Sequence, residues 1–262
     1  MPSYINRKKY KNVTDMENFS VCISVYKNDQ ANHVKRSLHS ITRGQTLQPS
    51  EILLVVDGPI GNDIERVIKE EESAYPGLYN VIRFEKNQGL GMALQQGMLA
   101  AKNEIMMRMD SDDVASADRF EKQMAFMTTH KSVGVCGGQI SEFIDDESNI
   151  VGRRTVPCDN SEIYKYMKTR CAFNHMTVAL RRSMIMEVGN YQPWFWNEDY
   201  YLWVRLMISH CEFANLPDTL VNVRVGRDMY ARRGGMKYFK SEAKLQKYMY
   251  NHRLIGGGVF VN

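Results

Sequence analysis

The sequence contains little that would staple, anchor or divide the chain. Its five cysteines, Cys22, Cys136, Cys158, Cys171 and Cys211, are odd in number, scattered and free of any CxxC spacing, so reduced thiols are expected rather than a disulfide framework or a zinc site. No apolar run approaches the roughly 20 residues that cross a bilayer; EILLVV is typical of the longest. The opening MPSYINRKKYKN lacks the apolar core of a signal peptide, so a cytosolic location is the expectation. There are seven prolines, and no Pro/Gly-rich linker, repeat or low-complexity tract separates one part of the chain from another. What is present is ordinary for a folded protein: 262 residues, 44% hydrophobic and 24% charged, with a mean hydropathy of −0.42. That length allows one large domain or two modest ones, and the lack of a linker favours one continuous domain.

The formal net charge of +4 hides an uneven distribution. Residues 1–11 hold Arg7, Lys8, Lys9 and Lys11 with no acid, and between Arg224 and Arg253 nine basic residues face only Asp228 and Glu242. The body between these ends carries seven net negative charges. Two basic ends on an acidic body suit either solvated surface charge or an anionic partner, such as membrane headgroups or nucleic acid.

FSVCISVY, from Phe19 to Tyr26, alternates and is rich in β-branched residues, which predicts a strand; the polar turn Lys27-Asn28-Asp29 is suited to cap a helix over ANHVKRSLHSIT. EILLVVDG reads as a buried parallel strand, NDIERVIKEEESAY as a helix, NVIRFEK as a third strand and LGMALQQGMLAA as the next helix. EIMMRMD gives a fourth strand before the amphipathic ADRFEKQMAFMTTH. Such alternation implies a parallel sheet covered on both faces. Further on, VGVCGGQISEFID and NIVGRRTVP are predicted as antiparallel strands, followed by a short helix, the strand HMTVALRR and a helix starting near Asn197. The expected architecture is α/β: a Rossmann-like, mostly parallel sheet flanked by helices, with a smaller antiparallel part and a C-terminal helical tail. Its parts are a basic extension (1–18), a body (19–223, divisible near residue 130) and a basic tail (224–262).

In such a sheet, ligands gather outside the carboxyl ends of the strands, which here are Tyr26 to Asp29, Asp57, Asn87 to Gly91 and Asp110 to Asp113. Asn87-Gln88-Gly89-Leu90-Gly91 superficially resembles a dinucleotide loop, but Leu94 stands where GxGxxG needs its third glycine. Its glycines serve equally to bring a helix against the sheet. Asp110, Asp112 and Asp113 crowd three carboxylates into four residues, and a divalent cation relieves their repulsion. Oxygen ligands with nothing soft nearby suit Mg²⁺ or Mn²⁺, which can stabilise a diphosphate leaving group. Helix capping by one of these aspartates is the other role open to them. An EF-hand is excluded: Asp110, Asp112 and Glu121 fit its first, third and twelfth places, but Val114 and Ala115 occupy the fifth ligand and the sixth glycine.

SVCISVYKND, ILLVVDGP, NQGLGMALQQG, MRMDSDD and NEDYYLWVRL occur in the order and approximate spacing of the inverting glycosyltransferases of GT-A fold, family 2 type. From about Phe19 to the basic tail the chain resembles this family, most of all the branch that builds capsular, exopolysaccharide, amylovoran or O-antigen repeat units. The resemblance implies transfer of a sugar from a nucleotide-diphosphate sugar, with UDP favoured, to a hydroxyl of a glycan acceptor that is free or carried on a polyprenyl diphosphate. It implies that Ser24, Val25, Tyr26 and Asp57 hold the base and ribose, and that Asn87, Gly89 and Ala93 lie beside the nucleotide sugar. Asp110 and Asp112 form the DxD signature, with Asp112 the direct ligand of Mn²⁺ or Mg²⁺, and Arg108 and Ser111 of the same motif belong to the donor site. Glu198-Asp199 matches the Glu-Asp pair whose aspartate serves similar enzymes as general base. The common Asp-Asp-Gly-Ser after the second strand is Asp57-Gly58-Pro59 here, so a second base-binding carboxylate is missing.

The residues argue for the same chemistry on their own. A sugar hydroxyl is too weak an acid to attack unaided, so a carboxylate within hydrogen-bond reach must take its proton. Asp199, with Glu198, opens a predicted helix beside Trp194 and Trp196, whose ring faces suit stacking on an acceptor sugar; a cap or first-turn anion is the other role for Asp199. His175 offers a contact to phosphate or acceptor, or a satisfied structural ring, and Arg205 is read as a structural partner. Tyr238, Leu245, Met249 and Leu254 are predicted to form an apolar stripe beside Lys240, Lys244 and Lys247. That stripe suits peripheral attachment at the inner face of the cell membrane, or packing on the body. No nucleic acid is expected. Two other classes stay open: a sugar nucleotidyltransferase, although Val25 to Asp29 supplies no glycine-rich basic loop, and a non-catalytic module that binds nucleotide sugars or polyanions.

Overall fold

The computed structural model of the chain describes residues 18–226 and 236–257. Strands β1 (Phe19–Val25), β2 (Glu51–Val56), β3 (Tyr79–Arg83) and β4 (Ile105–Met109) alternate with helices α1 (Ala31–Ile41), α2 (Asn62–Ala74) and α3 (Leu90–Ala100). After the short β5 (Val114–Ala115) come α4 (Arg119–Thr129), β6 (Val133–Phe143), β7 (Ile150–Arg154), α5 (Asn160–Tyr166), β8 (Ala179–Arg181), α6 (Arg182–Glu187), α7 (Glu198–Ile208), β9 (Glu212–Arg224) and α8 (Met236–Asn251). They make one sheet in the order β3-β2-β1-β4-β8-β6-β9-β5, with β7 paired to β6. The β3-β2-β1-β4 half is parallel. β8 runs antiparallel to both β4 and β6, so the sheet becomes mixed where the chain leaves its alternating pattern.

Both faces are covered, and β2 shows how. Ile52, Leu54 and Val56 enter one core while Leu53 and Val55 enter the other, the two-residue period of a fully buried strand. Helices α1, α2 and α4 close the first core through Val34, Leu38, Ile64, Ile68, Phe120 and Met124. The second core is closed by α3, α5, α7 and α8 through Leu94, Met98, Ile163, Trp203, Leu206, Leu245 and Met249. Gly97 lets α3 lie directly on β1, since a Cβ there would collide with Cys22 Sγ. All five cysteines are free thiols.

Several local expectations are corrected. HMTVALRR is not one strand: His175–Thr177 form a 3-10 turn, and only Ala179–Arg181 join the sheet. The Thr177 hydroxyl and N–H both donate to the Asn174 carbonyl, at 2.7 and 2.8 Å, and these local bonds displace the ladder. The long β9 was not foreseen, because Pro217 interrupts its pattern; the sheet absorbs it at a register shift in which Gly138 faces Leu216 and Gln139 faces Thr219. Asp29 does not cap α1, whose N-cap residue is Gln30 with no side-chain bond, because its carboxylate faces the neighbouring strand end instead. Of the two roles open to the tail's apolar stripe, Leu245 and Met249 take packing on the body: both are fully buried, and Leu254 packs against the same core. The basic residues at 7–11 and 232–233 lie outside the described residues.

Because Leu245 fills the second core, Leu245→Ala is expected to destabilise the whole fold by about 2–5 kcal/mol. Urea unfolding checks this, and a loss below about 1 kcal/mol would show that α8 is not integral to the core.

Candidate active site

Carboxylates fasten the strand-end loops in pairs, the loop after β2 to that after β3 and the loop after β1 to that after β4. Asp57 Oδ1 accepts the Gln88 N–H at 2.7 Å, and Oδ2 accepts from Asn87 Nδ2 at 2.8 Å and the Gly89 N–H at 2.9 Å. The N–H groups of Gln88 and Gly89 are thus taken by Asp57 and are not offered to a pyrophosphate. Gly89 adopts φ 89°, a region closed to most side chains. Asp29 Oδ2 accepts from the Tyr26 N–H at 3.0 Å and the Ser111 hydroxyl at 2.9 Å, joining the ends of β1 and β4. Ser37 adds a 2.7 Å bond to the Asp110 carbonyl. Ser24 is half-buried at this edge, while Tyr26, Asn87 and Gln88 are exposed. Val25 and Ala93 differ from the expectation: both side chains are fully buried and reach no open surface. Ala93 faces the sheet with Leu94 and Gly97, and Val25 contributes to the loops only its carbonyl, which accepts the Asp57 N–H at 2.8 Å.

Met106, Arg108 and Asp110 share one face of β4 and its extension, as strand pleating requires. Arg108 is buried and ion-paired with Asp110, yet its Nε and Nη1 have no partner among the described residues. Asp112 is exposed, and its carboxyl is pushed up to about 6 by desolvation and then by the charges of Asp110 and Asp29. Asp113 is buried: Oδ1 accepts the Arg224 N–H at 2.9 Å, and Oδ2 is unpartnered among the described residues. Burial first, then Asp110 and Asp112, raise it well above the usual carboxylate range. Among the described residues no group of three His, Cys, Asp or Glu is assembled around a metal position. An exposed acid crowded by like charges nonetheless fits Mg²⁺ or Mn²⁺, which take one or two carboxylates and complete their shell with phosphate and water.

The second carboxylate pair lies at the start of α7, where the sequence placed it. Asn197 precedes the helix but does not cap it; its amide donates to Ser241 Oγ at 3.2 Å. Asp199 Oδ1 accepts the Tyr200 N–H at 2.7 Å, and Oδ2 lies 3.9 Å from His175 Nδ1, beyond hydrogen-bond range. His175 Nε2 is 2.9 Å from the buried Tyr191 hydroxyl. Arg154 steadies the approach to His175 by donating to Asn174 Oδ1 at 2.9 Å and the Cys171 carbonyl at 2.8 Å. Arg205 holds the loop leading to Tyr191, donating to the Val188 and Asn190 carbonyls at 2.6 Å each, which is the structural role expected of it. Tyr191 and Arg154 escaped the sequence reading because both act from outside the strand-end motifs. Asp29 lies among the strand-end positions the sequence marked, but without a role of its own beyond the turn that was suited to cap α1.

Electrostatics connect the two carboxylate groups. Burial raises Asp199 above the usual range, while the Tyr200 N–H and Arg108 pull it down. Glu198 is pushed up to about 7 by burial and then by Asp199, and it also feels Asp110. Burial, then Arg108, hold His175 well below its ordinary value, so the ring is neutral. One buried guanidinium thus acts on Asp110, Glu198, Asp199 and His175 together. Gly91 allows the close approach of α3 to α7, since a Cβ there would lie 3.3 Å from Glu198 Cβ.

The two tryptophans part company. Trp194 is half-buried under α8: its indole N–H donates to the Ser241 carbonyl at 3.3 Å, Lys244 Nζ lies 4.1 Å from the ring centre, and the Tyr201 ring lies tilted against it at 4.2 Å. Its ring is thereby engaged in packing. Trp196 is half exposed and adopts φ 56°, a costly conformation for a bulky residue.

This arrangement has known counterparts. The sequence model of glycosyl transferase family 2 matches residues 20–189. The chain is 37% identical over 229 residues to the amylovoran biosynthesis glycosyltransferase AmsE of Erwinia amylovora, covering 87% of this chain and 84% of that protein. It is 33% identical over 249 residues to an Escherichia coli UDP-Gal:alpha-D-GlcNAc-diphosphoundecaprenol beta-1,3-galactosyltransferase, covering 94% and 88%. Among solved structures it is similar in fold to the mannosyltransferase PcManGT of Pyrobaculum calidifontis, in complex with GDP-Man and Mn²⁺, with a TM-score of 0.66 at 15% identity; the match covers 92% of this chain and spans 65% of that one. A parallel sheet that turns mixed after its fourth strand, with acids at its strand ends, is thus the GT-A fold, and the chain belongs to glycosyltransferase family 2.

Proposed function

We propose that the protein is an inverting transferase that moves a sugar from a UDP-sugar to a hydroxyl of a glycan carried on polyprenyl diphosphate, in surface-polysaccharide synthesis. The observation that carries this reading is that buried Arg108, ion-paired with Asp110, also lowers the pKa of Glu198 and Asp199, which supports one electrostatic site for the proposed donor-side and acceptor-side carboxylates. Residues 19–223 are the catalytic part in this reading, and the relatives' names support both the donor and the acceptor class.

In the reaction, Asp199 takes the proton of the acceptor hydroxyl as its oxygen bonds to the anomeric carbon from the face opposite the diphosphate. The bond from that carbon to the diphosphate breaks, so the configuration inverts. Neutral His175, held by Tyr191, lies beside the base without adding a competing positive charge. Tyr26 and Asn87 are the exposed contacts offered to the nucleotide, on loops set by Asp57 and Asp29. Asp112, with Asp110 beside it, would hold Mn²⁺ or Mg²⁺, which when bound neutralises the diphosphate. Trp196 supplies the open ring on the acceptor side. Membership of the family sets aside the sugar nucleotidyltransferase and the non-catalytic module.

The reading is tested by thermal unfolding and by transfer. UDP is expected to raise the midpoint in Mn²⁺ and much less in EDTA, because a ligand of the native state stabilises it. A panel of UDP-sugars should then support transfer to a GlcNAc-diphosphate-lipid acceptor only with metal present. A shift by GDP instead of UDP overturns the donor assignment, and full turnover in EDTA overturns the metal assignment.

A further inference from the structure

Helix α8 has two apolar faces. Ser241, Leu245 and Met249 point into the second core. On the opposite face lie Met236, Phe239, Ala243 and Tyr250, at helical spacings i, i+3, i+7 and i+14. Met236 and Phe239 are each 66% exposed and Tyr250 is 49% exposed. A row of exposed lysines, Lys237, Lys240, Lys244 and Lys247, runs alongside, and Glu242, half-buried, is the one acid in the helix sequence. Beside the helix start, Phe195 and Trp196 stack at 5.0 Å and are about half exposed, and Tyr238 approaches Trp196 at 6.4 Å. The Ser241 hydroxyl donates to the Phe195 carbonyl at 2.6 Å, so helix and loop are one surface.

Large apolar side chains on a water-facing surface are ordinarily scattered singly; gathered together they mark a binding surface. An apolar row flanked by lysines, with aromatic rings at its edge, has the chemistry of the bilayer interface, where rings sit at headgroup level and ammonium groups meet lipid phosphates. Four lysines against one acid complement an anionic leaflet.

We propose that the outward face of α8, together with Phe195 and Trp196, docks this protein on the interface of an anionic lipid bilayer. Tyr238 apart, these residues differ from the stripe expected from the sequence, whose Leu245, Met249 and Leu254 pack on the core. Trp196 stands just before Glu198 and Asp199, so docking sets the acceptor side of the site at the lipid surface. That last consequence rests on the proposed chemistry, whereas the docking does not.

The test uses the full chain, sedimented with vesicles of phosphatidylglycerol and phosphatidylcholine or of phosphatidylcholine alone. Wild type is expected on the anionic vesicles and largely absent from the neutral ones. Lys240→Ala and Lys247→Ala should each weaken binding by about fivefold. The pair Met236→Ser with Phe239→Ser should weaken it by about tenfold or more. All of these side chains are exposed, so the variants should keep the wild-type circular dichroism and turnover on a short water-soluble acceptor. Equal binding to both vesicle types, or binding unchanged in the serine pair, overturns the proposal. So does a serine pair that converts a dimer to a monomer while still binding vesicles, because the face would then join two copies. Lipid binding lost in the variants, with no transfer from any nucleotide sugar, leaves docking intact and removes the proposed chemistry.

Discussion

Asp199→Asn should lower kcat by about 10³-fold or more while leaving UDP binding unchanged, since loss of a positioned base removes roughly 10²–10⁴ in rate. The substitution keeps the fold around it: an asparagine oxygen still accepts the Tyr200 N–H that now meets Oδ1 at 2.7 Å. What it removes is the basicity of Oδ2, the oxygen turned toward His175. The pH dependence follows from burial. Asp199 lies above the ordinary carboxylate range and Glu198 reaches about 7, so the wild-type rate rises with pH through the acid range toward neutrality as the base loses its proton. Glu198→Gln removes a neighbouring negative charge and should move that rise to lower pH. Stability has the opposite sign. These acids bind protons more tightly folded than unfolded, so their contribution falls as pH climbs from the unfolded carboxylate range to about 7. Turnover within tenfold of wild type in Asp199→Asn would remove the aspartate from the role of base.

The second large effect separates the two outer acids of Asp110-Ser111-Asp112. Both Asp110→Asn and Asp112→Asn should cut turnover by about 10²-fold or more, through loss of charge facing the diphosphate and its cation. Their stabilities should diverge. Arg108 is 2% exposed and paired with Asp110, so Asp110→Asn leaves a buried guanidinium short of its partner. Breaking a fully buried pair costs about 3–5 kcal/mol; with Asp110 29% exposed, about 2 kcal/mol is expected. Among the described residues Asp112 has no such partner, and it is crowded by Asp110 and Asp29. Asp112→Asn should therefore leave stability within about 0.5 kcal/mol of wild type or raise it, as for surface substitutions generally. Urea unfolding of both variants in EDTA checks the contrast, and equal losses would show that the Arg108 pair does not anchor the site.

The donor side was legible because its groups sit at strand ends, and strand ends follow from local pattern. The buried run of β2 leads to Asp57, and the alternation of β4 leads to Arg108 and Asp110. The start of α7 was readable for a similar reason, as Glu198 and Asp199 precede a helical run that buries Leu202, Trp203 and Leu206. What joins the two sides was not legible. Tyr191 and Arg154 act through hydrogen bonds between loops and strands remote in sequence, and no period marks them. Ala93 and Val25 lie within donor motifs, yet helical and strand periods turn them into the core. The tail's stripe was legible but its role was left between two readings, because α8 is apolar on two faces and only packing decides which face is covered.

The contact between Gly91 and Glu198 has a mechanical meaning. A single missing methyl group gauges the gap between the first turn of α3, which continues the loop tied to Asp57, and the first turn of α7, which carries the proposed base. A residue larger than glycine there is expected to press the two helix starts apart by a few tenths of an ångström. On the proposed chemistry, that displacement would change the spacing between the leaving group and the base without touching either substrate.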